Sequence, residues 1–306
     1  TNGSSLRPKS SLAKGVNGKS SGAVSWLNDL STLTHLVEQG GSRRGAQMIM
    51  LADWHPDIIE FIISKMQNPK ILRFLIDTIK DPQIISEAKS KLNFTPLTKD
   101  QSDMYETIVK LNDVNETMFS KSVVDDARDN LNLGGSYSVN NPDFLTGANI
   151  SVAITKEFMD AVENDLSYDL KFPDVDNYTG QDKEDYDTKW HEVGDVRTWE
   201  KMGYAVKVHR TIKARDLWHL INVCATYAAE PGIFFMDNAN DMTNAKGYGQ
   251  QVVCTNPCGE QPLAPYSVCN LSAINLANMV NRKEKSVDWN KLEKTVQTAI
   301  RMQIYN

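Results

Sequence analysis

At 306 residues, 41% of them hydrophobic, the chain can bury a sizeable core in one or two domains. Its 33 Lys and Arg against 39 Asp and Glu give a formal charge of -6, which argues against a general nucleic-acid binder but leaves room for a phosphorylated small molecule held by local donors. With no apolar run of membrane-span length, no apolar signal core at the N-terminus and only four cysteines, the expectation is a cytoplasmic protein with neither a membrane partner nor a disulfide scaffold.

Residues 1–24 are rich in Gly, Ser and Lys and read as a flexible segment. "SWLNDLSTLTHLVEQGG" spaces Leu27, Leu30, Leu33 and Val37 as one helical face and stops at Gly40 and Gly41. "AQMIMLAD" has strand length, and "HPDIIEFIISKM" restarts a helix with Pro56 and Asp57 in its first turn. Residues 68–133 read as an inserted region of polar amphipathic helices, and 134–148, "GGSYSVNNPDFLTGA" in the main, as a turn-rich loop. A strand "NISVAI" and a helix "TKEFMDAVEND" follow, then an acidic, aromatic stretch over 166–200 that reads as an irregular insertion. "IKARDLWHLINVCATYAAEPG" is a helix with Ala214, Leu217, Trp218, Ile221, Cys224 and Ala228 on one face; "GIFFMD" is a buried-type strand and "VDWNKLEKTVQTAIRMQ" a last amphipathic helix. Strands alternating with helices point to an α/β fold with a largely parallel sheet, possible as a barrel. The chain stops on "RMQIYN" straight out of a helix, as a piece of a longer protein would.

The chemistry concentrates in "VVCTNPCGEQPLAPYSVCNL", residues 252–271. A disulfide among Cys254, Cys258 and Cys269 fits a reducing compartment poorly. Zinc usually takes Cys-x2-4-Cys pairs, and here a lone pair and a third cysteine have no nearby His to complete a set. If "CTNPCGE" is extended, Asn256, Cys258 and Glu260 share one face, offering an amide, a sulfur and a carboxylate to one ligand. Pro257 cannot donate to a sheet ladder, so the segment belongs to an edge or a loop tip in a pocket. Sulfur with carboxylate allows a thiolate nucleophile or sulfur radical chemistry with Glu260 as proton carrier, and spacing alone leaves both open.

"TNPCGEQPLAPYSVCNLSAINLANM" closely resembles the active-site segment of ribonucleotide reductase large chains. "EQGGSRRGAQMIMLADWHPDIIEFI", "TGANISVAITKEFMDAVE", "KWHEVGDVRTWEKMGY" and "EPGIFFMDNANDMTNAKGYGQQVV" resemble the adenosylcobalamin-dependent (class II) branch, so the resemblance covers nearly the whole chain, as a central fragment. It implies part of a ten-stranded α/β barrel with a finger loop at its centre. On that likeness Cys258 is the thiyl radical that removes the ribose 3′ hydrogen, Glu260 the base for the 3′-hydroxyl proton, and Asn256 the amide on the ribose hydroxyls. Cys269 corresponds to one member of the redox cysteine pair, reset by a thioredoxin-like or other dithiol. Its partner would lie on an early strand, yet no cysteine precedes Cys224, and the family's phosphate-binding loop is also absent, so the chain is expected to be inactive alone. Residues 1–24 resemble the first specificity loop and 134–148 the second. Arg7, Ser25 and Asn149 are thereby expected to contact substrate or a dNTP or ATP effector, in a homodimer, and no metal site is expected.

Four further features have blander readings. Trp54 and His55 suit packing at a helix start; Arg43 and Arg44 suit an ion pair as well as phosphate; Cys224 suits the core; Cys254, where relatives carry a small residue, suits simple packing. Three rival functions remain: a class I catalytic subunit with a separate radical-generating subunit, a non-catalytic nucleotide-binding module, and a zinc protein using Cys254, Cys258 and Cys269.

Overall fold

The structure, a computed structural model, describes residues 1–13, 18–39 and 43–305. Thr1–Ser4 is extended rather than flexible: Asn2 bridges Met50 in parallel, Gly3 N donates to Met50 O at 2.8 Å and Met50 N to Thr1 O at 2.9 Å. A short hairpin follows, β1 (Leu12–Ala13) against β2 (Gly18–Lys19). Helix α1 (Ala23–Leu36) buries Ala23, Val24, Leu27 and Ser31, whereas Leu33 and Val37 of the expected apolar face are exposed. β3 (Glu38–Gln39) and β4 (Arg43–Arg44) pair antiparallel; the stop expected at Gly40 and Gly41 and the side chains of Arg43 and Arg44 lie outside the described residues. β5 (Met48–Ala52) is buried throughout, and α2 (Ile58–Ile63) starts at Asp57, just after Pro56.

Helices α3 (Pro69–Thr78) and α4 (Pro82–Ser90) carry proline at the first helical position behind Asn68 and Asp81 caps, where the missing N–H costs nothing. The region read as wholly helical then contains β6 (Leu92–Pro96), which crosses to β7 (Gly135–Val139) on the far side of α5 (Lys99–Val114) and α6 (Lys121–Leu133). β7 thus takes the front of the stretch expected to be loop. Both strands are largely polar with no clean alternation, and their pairing rests on tertiary contact: Phe94 packs on Tyr137 with ring centroids 4.9 Å apart.

β8 (Asn149–Ile154) and α7 (Lys156–Glu163) follow as expected. The stretch read as irregular is instead ordered: β9 (Ser167–Pro173), α8 (Gly180–Val193), α9 (Val196–Lys201) and β10 (Val206–Lys213), with β9 and β10 antiparallel. Its order comes from an aromatic cluster, Trp190 edge-on to Trp199 at 5.6 Å and Trp199 stacked on Tyr204 at 4.0 Å, which a polar sequence pattern conceals. Then come α10 (Ala214–Ala228), β11 (Gly232–Phe235), α11 (Met236–Met242), the hairpin β12 (Cys254–Thr255) and β13 (Pro262–Leu263), the hairpin β14 (Val280–Asn281) and β15 (Ser286–Val287), and α12 (Trp289–Tyr305).

The organising sheet is parallel, in the order β11-β8-β5, with β12 against β5. Helix α10 packs on α2 and α7, burying Leu217, Leu220, Ile221 and Cys224. β11 is only partly buried, and its outer edge has no strand partner among the described residues. The fold is therefore mixed α/β with a parallel sheet, and these residues do not close a barrel.

Two buried carboxylates lock this frame. Asp57 accepts from Lys9 N at 3.0 Å and from Ala23 N, the first residue of α1, at 2.8 Å. Gly22 is forced there twice over: its φ is +96°, and a Cβ would lie 2.9 Å from Asp57 Oδ2. Asp53, at the end of β5, accepts from Thr155 N at 2.6 Å and Tyr168 Oη at 2.9 Å, joining β8 and β9.

Candidate active site around Cys258

The β12–β13 hairpin carries Cys258 on a tight turn. Cys254 faces Leu263 and Thr255 faces Pro262; beyond them Asn256 N donates to Gln261 O at 3.2 Å. Gly259 N donates to Asn256 O at 3.0 Å, closing a β-turn with Pro257 and Cys258 at its centre and Gly259 at φ +85°. The extended face expected of Asn256, Cys258 and Glu260 is thus corrected: the strand ends at Thr255, and a proline-led turn abolishes alternation. The loop-tip reading stands. Asn256 Oδ1 accepts from Gln261 N at 3.0 Å, which leaves its Nδ2 donors for a ligand.

Cys258 is exposed and lines a cavity of about 430 Å³ over the first residues of β5, β8 and β11, with Met48, Asn149, Ser151 and Glu230. Glu260 is exposed nearby on the chain but outside that lining, as are Asn256 and Cys269. Cys269 is exposed in a stretch without a strand that lies beside α12, where Asn270 Nδ2 donates to Gln303 O at 2.9 Å.

Asn149 does reach the turn: its Nδ2 donates to Pro257 O at 2.6 Å. Glu230 and Lys65, ion-paired with each other, were not singled out from sequence. Glu230 Oε1 accepts from Ile150 N at 3.0 Å and Lys65 Nζ donates to Ala148 O at 2.7 Å. The acid at a helix–strand junction in "EPGIFF" was the available signal; nothing in the spacing points to Lys65.

Arg7 lies over the Tyr186 ring at 5.8 Å and donates to Leu12 O at 3.4 Å, while Ser25 Oγ donates to Gly22 O at 3.0 Å. Neither reaches the Cys258 cavity. Trp54 and His55 are buried, and His55 accepts from Asp57 N at Nδ1 and meets Leu6 O at Nε2, 2.9 Å away, so burial holds its pKa down and its role is packing. Burial pushes the Cys224 thiol up to about 12, as befits a core residue. Cys254 is buried with Sγ 3.3 Å from the Thr1 amine. All four cysteines are free, and no group of three or more His, Cys, Asp or Glu among the described residues is placed to share a metal ion.

A second cavity, about 550 Å³, opens at the opposite ends of the same strands. Arg197 dominates it, held by Asp195 at 2.7 Å and Asp237 at 2.8 Å; burial opposes its charge, but the two carboxylates outweigh that and raise its pKa. Lys156 and Asp241 pair at 2.5 Å on the rim. The buried charges there, Arg197 with Asp195 and Asp237, are paired with one another, so this end holds a structural junction.

The chain thus sets a cysteine on a tight turn over the strand ends of a parallel α/β sheet. A sequence profile for the barrel domain of ribonucleotide reductase matches residues 1–304, and the chain belongs to that family. It is 30% identical over 298 residues to a vitamin B12-dependent ribonucleoside-diphosphate reductase of Thermoplasma acidophilum, covering 97% of this chain and 25% of that protein. A Mycobacterium tuberculosis protein of the same description is 26% identical over 298 residues, covering 97% and 27%. A ribonucleoside-diphosphate reductase large chain of Cryptosporidium parvum is 24% identical over 307 residues, covering 97% and 28%. The chain thus spans about a quarter of the length of these relatives. No helix among the described residues is long and apolar enough to cross a membrane.

Proposed function

We propose that the intact protein is a cytoplasmic, adenosylcobalamin-dependent reductase of ribonucleotides to 2′-deoxyribonucleotides, and that this chain supplies its reacting cysteine. The observation that carries the reading is Cys258 exposed on a turn over a cavity of nucleoside-compatible size, in a chain of this family. In the proposed reaction Cys258 Sγ, as a radical, takes the 3′ hydrogen of the ribose. Glu260 accepts the 3′-hydroxyl proton, Asn256 Nδ2 holds the ribose hydroxyls, and the 2′-hydroxyl leaves as water. Cys269 and a second thiol outside this chain give up two electrons and two protons and become a disulfide, which a thioredoxin-like or other dithiol reduces again. Cys258 finally returns the hydrogen to C3′. Enclosure by a completed ten-stranded barrel would protect the sulfur radical from stray reactants.

The turn suits a bulky radical source: Cys258 is exposed, and nothing apart from the chain neighbours lies within 4 Å of the Cβ position of Gly259 beside it. When bound, adenosylcobalamin supplies the one-electron oxidising equivalent that removes the thiol hydrogen of Cys258. The segments 1–24 and 134–148, each partly in strands, would serve as the two specificity elements of a homodimer regulated by dNTP or ATP. Arg7 and Ser25 would contact the effector, and Asn149, at the second loop's end, faces the substrate side. Residues 68–133 form the helical insertion, and 252–271 carry the finger loop and the segment that follows it.

The test is the full-length parent, anaerobic, with adenosylcobalamin, a dithiol and a ribonucleotide, beside Cys258→Ala. Deoxynucleotide and a paramagnetic cofactor–sulfur signal are expected from the parent, and neither from the variant. A folded parent that forms product only when a metal-bearing partner subunit is added would overturn the cofactor assignment. Effector binding without turnover under either condition would leave a binding module.

A further inference from the structure

The Asn256–Gly259 turn is braced mainly within its own hairpin. Among the described residues one hydrogen bond reaches residues 256–261 from elsewhere, Asn149 Nδ2 to Pro257 O at 2.6 Å. That carbonyl belongs to the planar peptide joining Pro257 to Cys258, so fixing it fixes the direction in which Cys258 leaves the turn.

Asn149 is in turn gripped on three sides. Its own N–H donates to Gln47 O at 2.8 Å. The carbonyl before it, Ala148 O, accepts from Lys65 Nζ, and the N–H after it, Ile150 N, donates to Glu230 Oε1. Lys65 and Glu230 pair with each other and are largely buried. The geometry explains why a carboxylate is needed: Ile150 pairs with Ile49 on the β5 side, but β11 first pairs at Gly232 with Ser151, so the N–H that Ile150 turns to the β11 side meets no strand and Glu230 takes that place. At Gly232 a Cβ would lie 2.5 Å from Ser151 Oγ, so a side chain there would have to displace that hydroxyl.

Resting on the proposed function, we propose that Asn149 is a positioning residue for the Cys258 thiol, and that the Lys65–Glu230 pair is the clamp that keeps it there. This differs from a substrate or effector contact. The same clamp ties the thiol to α1, because the segment leading into Asn149 is itself held by that helix, Leu145 N on Asn28 Oδ1 at 3.0 Å and Gly147 N on Ser31 Oγ at 2.9 Å.

The experiment uses the full-length parent with Asn149→Ala, Asn149→Asp and Glu230→Gln. Asn149→Asp keeps the size of the side chain but has no N–H to donate; Glu230→Gln keeps an acceptor for Ile150 N and loses the ion pair. Two readouts are taken: steady-state kcat and KM, and the rate at which iodoacetamide alkylates Cys258 without nucleotide or cofactor, followed by peptide mass spectrometry. Both Asn149 variants are expected to lower kcat by about 10- to 100-fold through misplacement of the thiol. KM and the effector constant should stay within about twofold, because ground-state binding is not what is lost. Cys258 alkylation should change by about threefold or more in the same variants, and Glu230→Gln should follow the same pattern more weakly. A rise in KM or in the effector constant at unchanged kcat would make Asn149 a ligand contact and overturn the proposal, as would unaltered alkylation. If the wild-type parent reduces no ribonucleotide, the functional reading fails, and alkylation alone still decides the positioning claim.

Discussion

Asp53 is a carboxylate held wholly out of water. Burial raises its pKa from an ordinary 3.8 to about 7, against the pull of Thr155 N, Tyr168 and Arg197, which favour the charged form. The folded state therefore binds the proton more tightly than the unfolded chain. Its contribution is most favourable below about pH 4, declines as pH rises towards 7, and is constant above that, with a slope of at most about 1.4 kcal/mol per pH unit. Asp53→Asn keeps an acceptor for Thr155 N and cannot ionise. In denaturant titrations of the intact protein, the variant should gain on the wild type between pH 4 and 7 and keep that gain above; a pH-independent difference would show that Asp53 does not carry the proton. At this scale the sequence was legible where chemistry follows residue type. Cys258 stands out in "NPCGE" and sits on a turn over a cavity, and Cys224 on an apolar face reads correctly as core. Asp53, Lys65 and Glu230 did not stand out, because each acts through partners some 80 or more positions away.

Among the elements, the junction of α7, α9 and α11 hangs on Arg197. Asp195 caps α9 and holds the guanidinium; Asp237 of α11 accepts from Arg197 and also from Lys156 N, the first residue of α7, at 2.8 Å. Arg197→Met would leave two facing carboxylates with no counter-charge in a partly buried place, and should destabilise the fold by about 3 kcal/mol. Thermal or denaturant unfolding checks this, and a change below about 0.5 kcal/mol would mean the junction is held by packing instead. Long apolar or helical runs were readable at this scale: β5, β8, α7, α10 and α12 fall where periodicity places them. β9, α8, α9 and β10 were not readable, since Phe172, Tyr186, Trp190 and Trp199 are scattered among charged residues and form one cluster only once the chain has folded.

Across the whole molecule, α/β alternation was readable, and so was the parallel sheet; a closed barrel is not formed by three parallel strands. The order of the strands was not readable, and the polar β6–β7 pair gave no sign of itself in the sequence. That pair has a consequence for how the chain assembles. β5 and β8 are adjacent, yet everything from residue 53 to 148 must travel out and back before they can meet. Because Leu92 faces Val139 across the β6–β7 ladder, the excursion is pinched near its middle, and helices α5 and α6 ride beyond the pinch as a closed side branch. Val124 and Ala127, the buried residues of α6, are separate from the main core cluster, and the branch touches α3 through exposed Lys70–Asp126 and Lys70–Asp129 pairs of little energetic weight. The entropy of closing the β5–β8 loop is therefore nearly indifferent to the branch's length, since it grows only as a logarithm and the pinch already short-circuits it. Replacing residues 97–134 with a two-residue Asn-Gly turn should leave refolding rate and sheet stability almost unchanged in the intact protein, as stopped-flow and melting measurements can show; a collapse of either would mean the branch nucleates the sheet. A lineage can lengthen, shorten or discard such a branch without renegotiating the parallel strands.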